Sequence, residues 1–191
     1  MHKIAIVMIH FGKRETTDTA IKSLNGKIEN HQLFLIDNSV DNVGFARGVN
    51  KGINLALKDP SFTHILLLNN DLKITSGSLD QLLSTYGKIK TAGIVSPTLH
   101  HRQGYDWGGK YNKWTGMVQH RNWENPPKTT LTVDHVAGAA MLISRQVIEK
   151  VGLFDERFFL YFEDLDYCLR VKAKNFTIHI NPSVVVEHEV S

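Results

Sequence analysis

In the segment FFLYFEDLDYCLR, residues 158–170, the carboxylates of Glu163, Asp164 and Asp166 and the guanidinium of Arg170 stand against a run of aromatic side chains where a helical pattern begins. Packing alone seldom puts carboxylates beside so much apolar surface, because an ionised group loses hydration there. The chemistry on offer is acid–base: a carboxylate within hydrogen-bond reach of a hydroxyl can take its proton. A second acidic mark, Asn69-Asn70-Asp71, closes the apolar run from Ile65 to Leu68. In an open α/β sheet ligands bind beyond the carboxyl ends of the strands, and a carboxylate placed there can hold a divalent cation. Two such places in one small chain point to an enzyme.

The elements that must position these groups follow from periodicity. Lys3 to Ile9, Leu33 to Ile36, His64 to Leu68 and Gly93 to Ser96 are short continuous apolar runs, the form of parallel strands covered on both faces. Helical patterns alternate with them: Thr16 to Leu24, then Phe45 to Leu57 stopped by Asp59-Pro60, then Ser78 to Tyr86. This order predicts an α/β fold with a Rossmann-like, mostly parallel sheet flanked by helices. Between about His100 and Pro127 the alternation gives way to glycines, charged residues and three tryptophans, which predicts a loop or hairpin excursion. Regularity returns from Val136 to Ser144 and Arg145 to Val151. A helix follows from about Phe162 to Lys174, with Thr177 to Ile180 and Val184 to Val186 as closing strands.

Composition narrows the class. With 191 residues, 42% of them hydrophobic and 21% charged, the chain has the make-up of one globular unit rather than a disordered or fibrous one. Its net charge of +3 lacks the concentrated basic stripe of a nucleic-acid binder, so no nucleic-acid partner is expected and an anionic small molecule fits better. The single cysteine, Cys168, allows no internal disulfide, which suits a reducing cytosol, and it sits on an apolar helix face as a core residue. The first apolar stretch is too short to span a bilayer and reads as a buried strand. No signal for the oligomeric state is visible.

Leu35-Ile36-Asp37-Asn38-Ser39, followed by Asn42 to Ile53 (NVGFARGVNKGI), resembles the nucleotide-sugar-binding half of the family 2 glycosyltransferases, of GT-A fold, and most closely their rhamnosyltransferase-like members. Asn69-Asn70-Asp71 sits where that family carries its Asp-x-Asp motif, and Phe162 to Arg170 looks like its Glu-Asp catalytic segment. The resemblance covers nearly the whole chain, with the motifs in the family's order. It implies residues 1–97 as a nucleotide-sugar-binding half, residues 98–191 as an acceptor-binding and catalytic half carrying the smaller β excursion, and one GT-A domain made of both. The implied reaction is inverting transfer of a sugar from a UDP or dTDP sugar to a hydroxyl of a glycan or glycolipid. That chemistry belongs on the cytoplasmic side, at the inner face of the membrane where the acceptor is a lipid, with peripheral membrane association through that acceptor.

The resemblance assigns roles residue by residue. Asp71 becomes the carboxylate ligand of Mn2+ or Mg2+, and His188, just past the last strand, resembles a late metal or diphosphate ligand, for which a neutral imidazole is suited. Asn69 stands where the family usually has an acid; as a nucleotide-sugar-binding residue it can contact ribose or metal through its amide oxygen but adds no charge, which predicts weaker metal binding. Asp37 looks like the acceptor of a base N–H, with His10 at the end of the first strand near the nucleobase. Arg47 and Asn50, early in a helix, and Asn70 complete the nucleotide-sugar set; a helix N-terminus attracts phosphate, while Asn50 equally suits a bond to a neighbouring loop. Asp164 is the candidate general base and Glu163 a partner that binds the acceptor. At Asp164 a helix N-terminus favours the ionised form, whereas burial among Phe159, Tyr161 and Phe162 would raise the pKa. Asp166 and Arg170 have ion-pair spacing. Trp107, Trp114 and Trp123 suit either an acceptor cleft or hairpin packing. Two rival classes stay open: a sugar-nucleotide nucleotidyltransferase, whose glycine-rich loop is poorly matched by His10-Phe11-Gly12-Lys13-Arg14, and a non-catalytic nucleotide-sugar or glycan-binding module.

Overall fold

The computed structural model describes residues 2–123 and 127–188. Its elements, in chain order, are β1 (Ile4–His10), α1 (Arg14–Ser23), β2 (His31–Asp37), α2 (Phe45–Leu57), β3 (His64–Asn69), β4 (Leu72–Ser76), α3 (Asp80–Lys88), β5 (Ala92–His101), β6 (Gly104–Tyr111), β7 (Val118–Trp123), β8 (Leu131–Val133), β9 (Ala140–Ser144), α4 (Arg145–Val151), α5 (Glu163–Ala173) and β10 (Thr177–His188). The main sheet runs β2-β1-β3-β9-β5-β10-β4. β1 pairs in parallel with both β2 and β3, and β5 pairs in parallel with β10.

β1 shows why the chain folds this way. All seven of its residues are buried, but alternate side chains serve opposite faces. Ala5, Val7 and Ile9 join the core beneath α2 and α5, while Ile4, Ile6 and Met8 join the core beneath α1 and α3. Each Val or Ile so buried contributes on the order of 1.5–3 kcal/mol. α2 lies against the sheet through Ala46, Val49, Ile53 and Ala56, and it can approach because Gly52 has no side chain: a Cβ there would run into Val7.

Three features depart from the pattern read in the sequence. The sheet is mixed, because β9 runs antiparallel to both β3 and β5. A short strand, β4, follows Asp71 immediately and pairs antiparallel with β10. The two expected closing strands are one strand, β10, whose register shifts between Asn181 and Val185 around Pro182; proline supplies no N–H to a ladder, so the strand bulges rather than ends. The excursion after His100 is a hairpin of β6 and β7. Of its aromatics, Trp107 packs half-buried against the core, Trp114 is 86% exposed, and the Trp123 side chain lies outside the described residues.

Candidate active site

The carboxyl ends of β1, β2 and β3 lie side by side, His10 opposite Asp37 and Ile9 opposite Asn69, so chain segments distant in sequence converge at one rim of the sheet. A cleft of about 340 Å3 opens there. It is lined by Asn69, Asn70, Asp71 and His188, by Asn38 and Phe45, and by Phe159, Leu160 and Tyr161.

The turn carrying Asp71 is pinned from two sides. Asn69 N–H donates to the Ala139 carbonyl at 2.9 Å. The Asn70 amide donates to the Phe11 carbonyl at 2.8 Å and to the Thr17 hydroxyl at 2.9 Å. β4 then pairs with β10, which brings His188 opposite Leu72 and its Nε2 to 3.3 Å from Asp71 Oδ1. That approach lacks hydrogen-bond geometry: among the described residues Asp71 Oδ1 is buried without a hydrogen-bond partner, as is Nδ1, the other ring nitrogen of His188. Buried polar atoms are nearly always paired, so an unpaired carboxylate oxygen with an imidazole nitrogen 3.3 Å away in the cleft fits a divalent cation. Among the described residues no third His, Cys, Asp or Glu completes a closed metal site, and the pair suits an open one.

The lining segment Phe159 to Tyr161 leads into the acids. Tyr161 and Phe162 both have φ of +68°, costly for side chains of this size and of the kind found at functional sites. This pair turns the segment so that Phe159, Leu160, Tyr161 and Phe162 all face solvent, Tyr161 being 72% exposed. The expected burial of Asp164 among these rings is therefore not what the chain adopts. Asp164 is instead half-buried beside Gly138: Gly138 N–H donates to Oδ2 at 2.9 Å and Leu165 N–H to Oδ1 at 2.7 Å. Gly138 packs closely here: a Cβ would lie 3.2 Å from the Phe45 ring, a tight contact, and 3.4 Å from Asp164 Cβ. Through Phe45, Asp164 adjoins the cleft without lining it.

The buried acid is Glu163, 5% exposed, with Oε2 lacking a partner. Loss of hydration raises its pKa to about 7, with the neighbouring Asp164 charge adding to the effect. Because the folded value lies above the ordinary 4.5, stability from this group is present at low pH and is lost as pH rises from about 4.5 through about 7. Glu163→Gln, which stays neutral, is therefore expected to gain thermal stability relative to the wild type across that window. Melting curves at pH 5 and pH 8 check it, and an equal difference at both pH values would contradict it. Asp166 and Arg170 pair at 2.8 Å, as their spacing predicts, and Cys168 is fully buried.

The structure separates the other expected residues. His10 is buried, its Nδ1 2.7 Å from the Thr17 hydroxyl. Asp37 is exposed at the strand end, where the Ser39 N–H bond to its Oδ1 is the main cause holding its carboxyl below the usual range. Asn50 does not face the cleft: its amide donates to the Phe154 carbonyl and Glu156 Oε1 and accepts from Phe154 N–H, the loop-bonding alternative. Arg47 is exposed and bonded to Glu156 at 3.1 Å. The first free N–H of α2, that of Phe45, is taken by the Phe159 carbonyl at 2.8 Å, so one of the free N–H groups of this helix end is already bonded to protein. Asn38, Asn42 and Gly44 also line the cleft and are bonded to one another: Asn38 donates to the Gly44 carbonyl and Gly44 N–H donates to Asn42 Oδ1. Gly44, with φ of +85°, abuts the Phe159 carbonyl so closely that a Cβ would lie 2.5 Å from it.

The profile of the Glycosyltransferase like family 2 matches residues 2–191, and the chain belongs to that family. It is 28% identical over 143 residues to the low-salt glycan biosynthesis hexosyltransferase Agl10 of Haloferax volcanii, covering 72% of this chain and 46% of that protein. It is 25% identical over 146 residues to the N-acetylglucosaminyl-diphospho-decaprenol L-rhamnosyltransferase of Mycobacterium tuberculosis, covering 65% and 47%. Among solved structures, GalNAc-T7 with UDP, GalNAc and Mn2+ superposes with a TM-score of 0.76 at 12% identity, over 99% of this chain and 44% of that one. The fold is GT-A. The chain spans slightly under half the length of each of these proteins.

Proposed function

We propose that this chain transfers a sugar, with inversion, from a UDP or dTDP sugar to a hydroxyl of a glycan or glycolipid. The observation that carries the reading is the cleft itself, which gathers Asp71 and His188 with the segment that runs directly into Glu163 and Asp164. In this reading residues 1–97 hold the donor and residues 98–191 present the acceptor and the base. The acceptor hydroxyl attacks the anomeric carbon and gives its proton to Asp164, while the bond from that carbon to the diphosphate oxygen breaks and its electron pair leaves with the nucleoside diphosphate. Glu163 binds the acceptor. Mn2+ or Mg2+, when bound, neutralises charge on the departing diphosphate. Asp71 and His188 would hold it, with the Asn69 amide oxygen beside them.

Two relatives and one structural neighbour support the substrate classes. A hexosyltransferase and a rhamnosyltransferase acting on a diphospho-decaprenol are similar to this chain, and the structural neighbour contains UDP and Mn2+. A lipid-linked acceptor would place the protein on the cytoplasmic face of a membrane through peripheral contact. Among the described residues no helix is long and apolar enough to cross it.

The test is calorimetric titration of UDP and dTDP with and without Mn2+, followed by assay of donor hydrolysis. Metal-enhanced binding together with donor cleavage supports transfer; binding without cleavage favours the non-catalytic module. Nucleoside selectivity gives a separate prediction. A carboxylate at Asp37 selects the imide N–H of uracil and thymine, which adenine and cytosine lack. UDP and dTDP should outbind ADP and CDP, and Asp37→Ala should erase that preference by about 10- to 100-fold, the usual worth of a hydrogen bond to a charged group. Equal binding of all four by the wild type would remove Asp37 from the site.

A further inference from the structure

Thr17, the fourth residue of α1, is fully buried, and its hydroxyl is the meeting point of the two donor-side segments. It lies 2.7 Å from His10 Nδ1 and accepts from the Asn70 amide at 2.9 Å; the same amide nitrogen donates to the Phe11 carbonyl. A hydroxyl has one proton and can accept twice. With Asn70 donating into it, the Thr17 proton needs an acceptor, and among the described residues His10 Nδ1 is the one in reach. His10 Nδ1 is then unprotonated and Nε2 carries the hydrogen, because the bond made by one ring nitrogen sets the state of the other. The backbone of the same histidine receives the Asn38 N–H at 2.9 Å, beside Asp37. On the other side Asn70 leads directly into Asp71.

We propose that Thr17 is a positioning residue whose hydroxyl fixes His10 as an Nε2–H donor and ties the Asn69–Asp71 turn to the strand end that meets the nucleoside, so that nucleoside and cation binding are coupled through one buried oxygen. The proposal rests on the reading of the cleft as a nucleoside-diphosphate site. Thr17 touches neither ligand and acts through His10 and Asn70. The chemistry it supplies is directional: valine has the same shape but no hydroxyl, whereas serine keeps the hydroxyl and loses only a methyl.

Two measurements test it. Nitrogen-15 NMR of the labelled wild-type protein should show His10 with Nε2 protonated; a predominantly Nδ1-protonated ring would overturn the proposal, and this reading needs no variant to fold. Calorimetry with UDP then gives the ratio of affinities with and without Mn2+ for the wild type, Thr17→Val and Thr17→Ser. The Mn2+ enhancement should fall about 10- to 100-fold in Thr17→Val, the cost typical of losing a group that orients a metal ligand, and Thr17→Ser should recover most of it. A lower melting temperature in Thr17→Val with an unchanged enhancement would show an ordinary packing role and overturn the coupling. If wild-type protein binds no UDP under either condition, the functional reading fails, and the His10 protonation state still decides what Thr17 does.

Discussion

Asp164→Asn should bind the nucleoside diphosphate and Mn2+ like the wild type while transferring sugar about 10²- to 10⁴-fold more slowly, the usual worth of a general base. The substitution keeps the shape of the side chain and an oxygen for the Gly138 N–H, which lies 2.9 Å from Oδ2, but an amide cannot take the acceptor proton. Donor binding survives because the nucleoside and cation contacts of this reading come from Asp71, His188 and the ends of β1 and β2, and Asp164 does not line the cleft. Single-turnover assays beside calorimetry separate the two effects. Near-wild-type transfer by Asp164→Asn, with Glu163→Gln inactive and the wild-type rate rising near the Glu163 pKa of about 7, would move the base to Glu163. Full transfer by both variants would reduce these acids to helix-terminal and ion-pair groups.

The parallel part of the fold was legible because β1 and β3 are apolar on both faces and the helices between them keep a helical spacing. What escaped was the antiparallel part. β9 looks the same as a parallel strand in sequence, since burial on both faces leaves no trace of direction. β4, Leu-Lys-Ile-Thr-Ser, is too short to show a period, and the bulge at Pro182 reads as a break. This matters for the site: only the antiparallel pairing of β4 with β10 brings His188, 117 residues downstream of Asp71, back against it.

At the site, acids at strand and helix ends were visible as chemistry without a packing reason, yet the environment of each was not. Glu163 and Asp164 are adjacent in sequence, and one is buried with its pKa raised while the other lies at the backbone of Gly138. That difference follows from the left-handed pair Tyr161 and Phe162, a conformation that neither residue type announces. Asn50 and Arg47 carried the right chemistry on the right helix, but the partner that holds them, Glu156, is more than 100 residues away. Thr17 gave no signal at all, because a threonine in the first turn of a helix is ordinary until its neighbours are known.

Asp71→Ala should leave the protein folded and remove the metal-dependent part of nucleoside diphosphate binding. Asp71 is the only charged group of its turn, and it closes β3 rather than filling the core. Among the described residues its Oδ1 is buried without a hydrogen-bond partner, 3.3 Å from His188 Nε2. Deleting a carboxylate that makes no hydrogen bond through that oxygen costs little in folding, so the melting temperature measured without metal should stay within a few degrees, as for a change of about 0.5 kcal/mol. Mn2+ affinity of the nucleotide complex should fall by at least the roughly 100-fold that losing a supporting group alone can cause, since His188 is left as the lone strong ligand and Asn69 offers only a neutral amide. Asp71→Glu, which keeps the charge on a longer arm, should retain a measurable part of the enhancement. The measurement is UDP titration in Mn2+ and in chelator for all three proteins. An enhancement unchanged in Asp71→Ala would take the cation away from this part of the cleft, and with it the placement of the diphosphate beside Asp71.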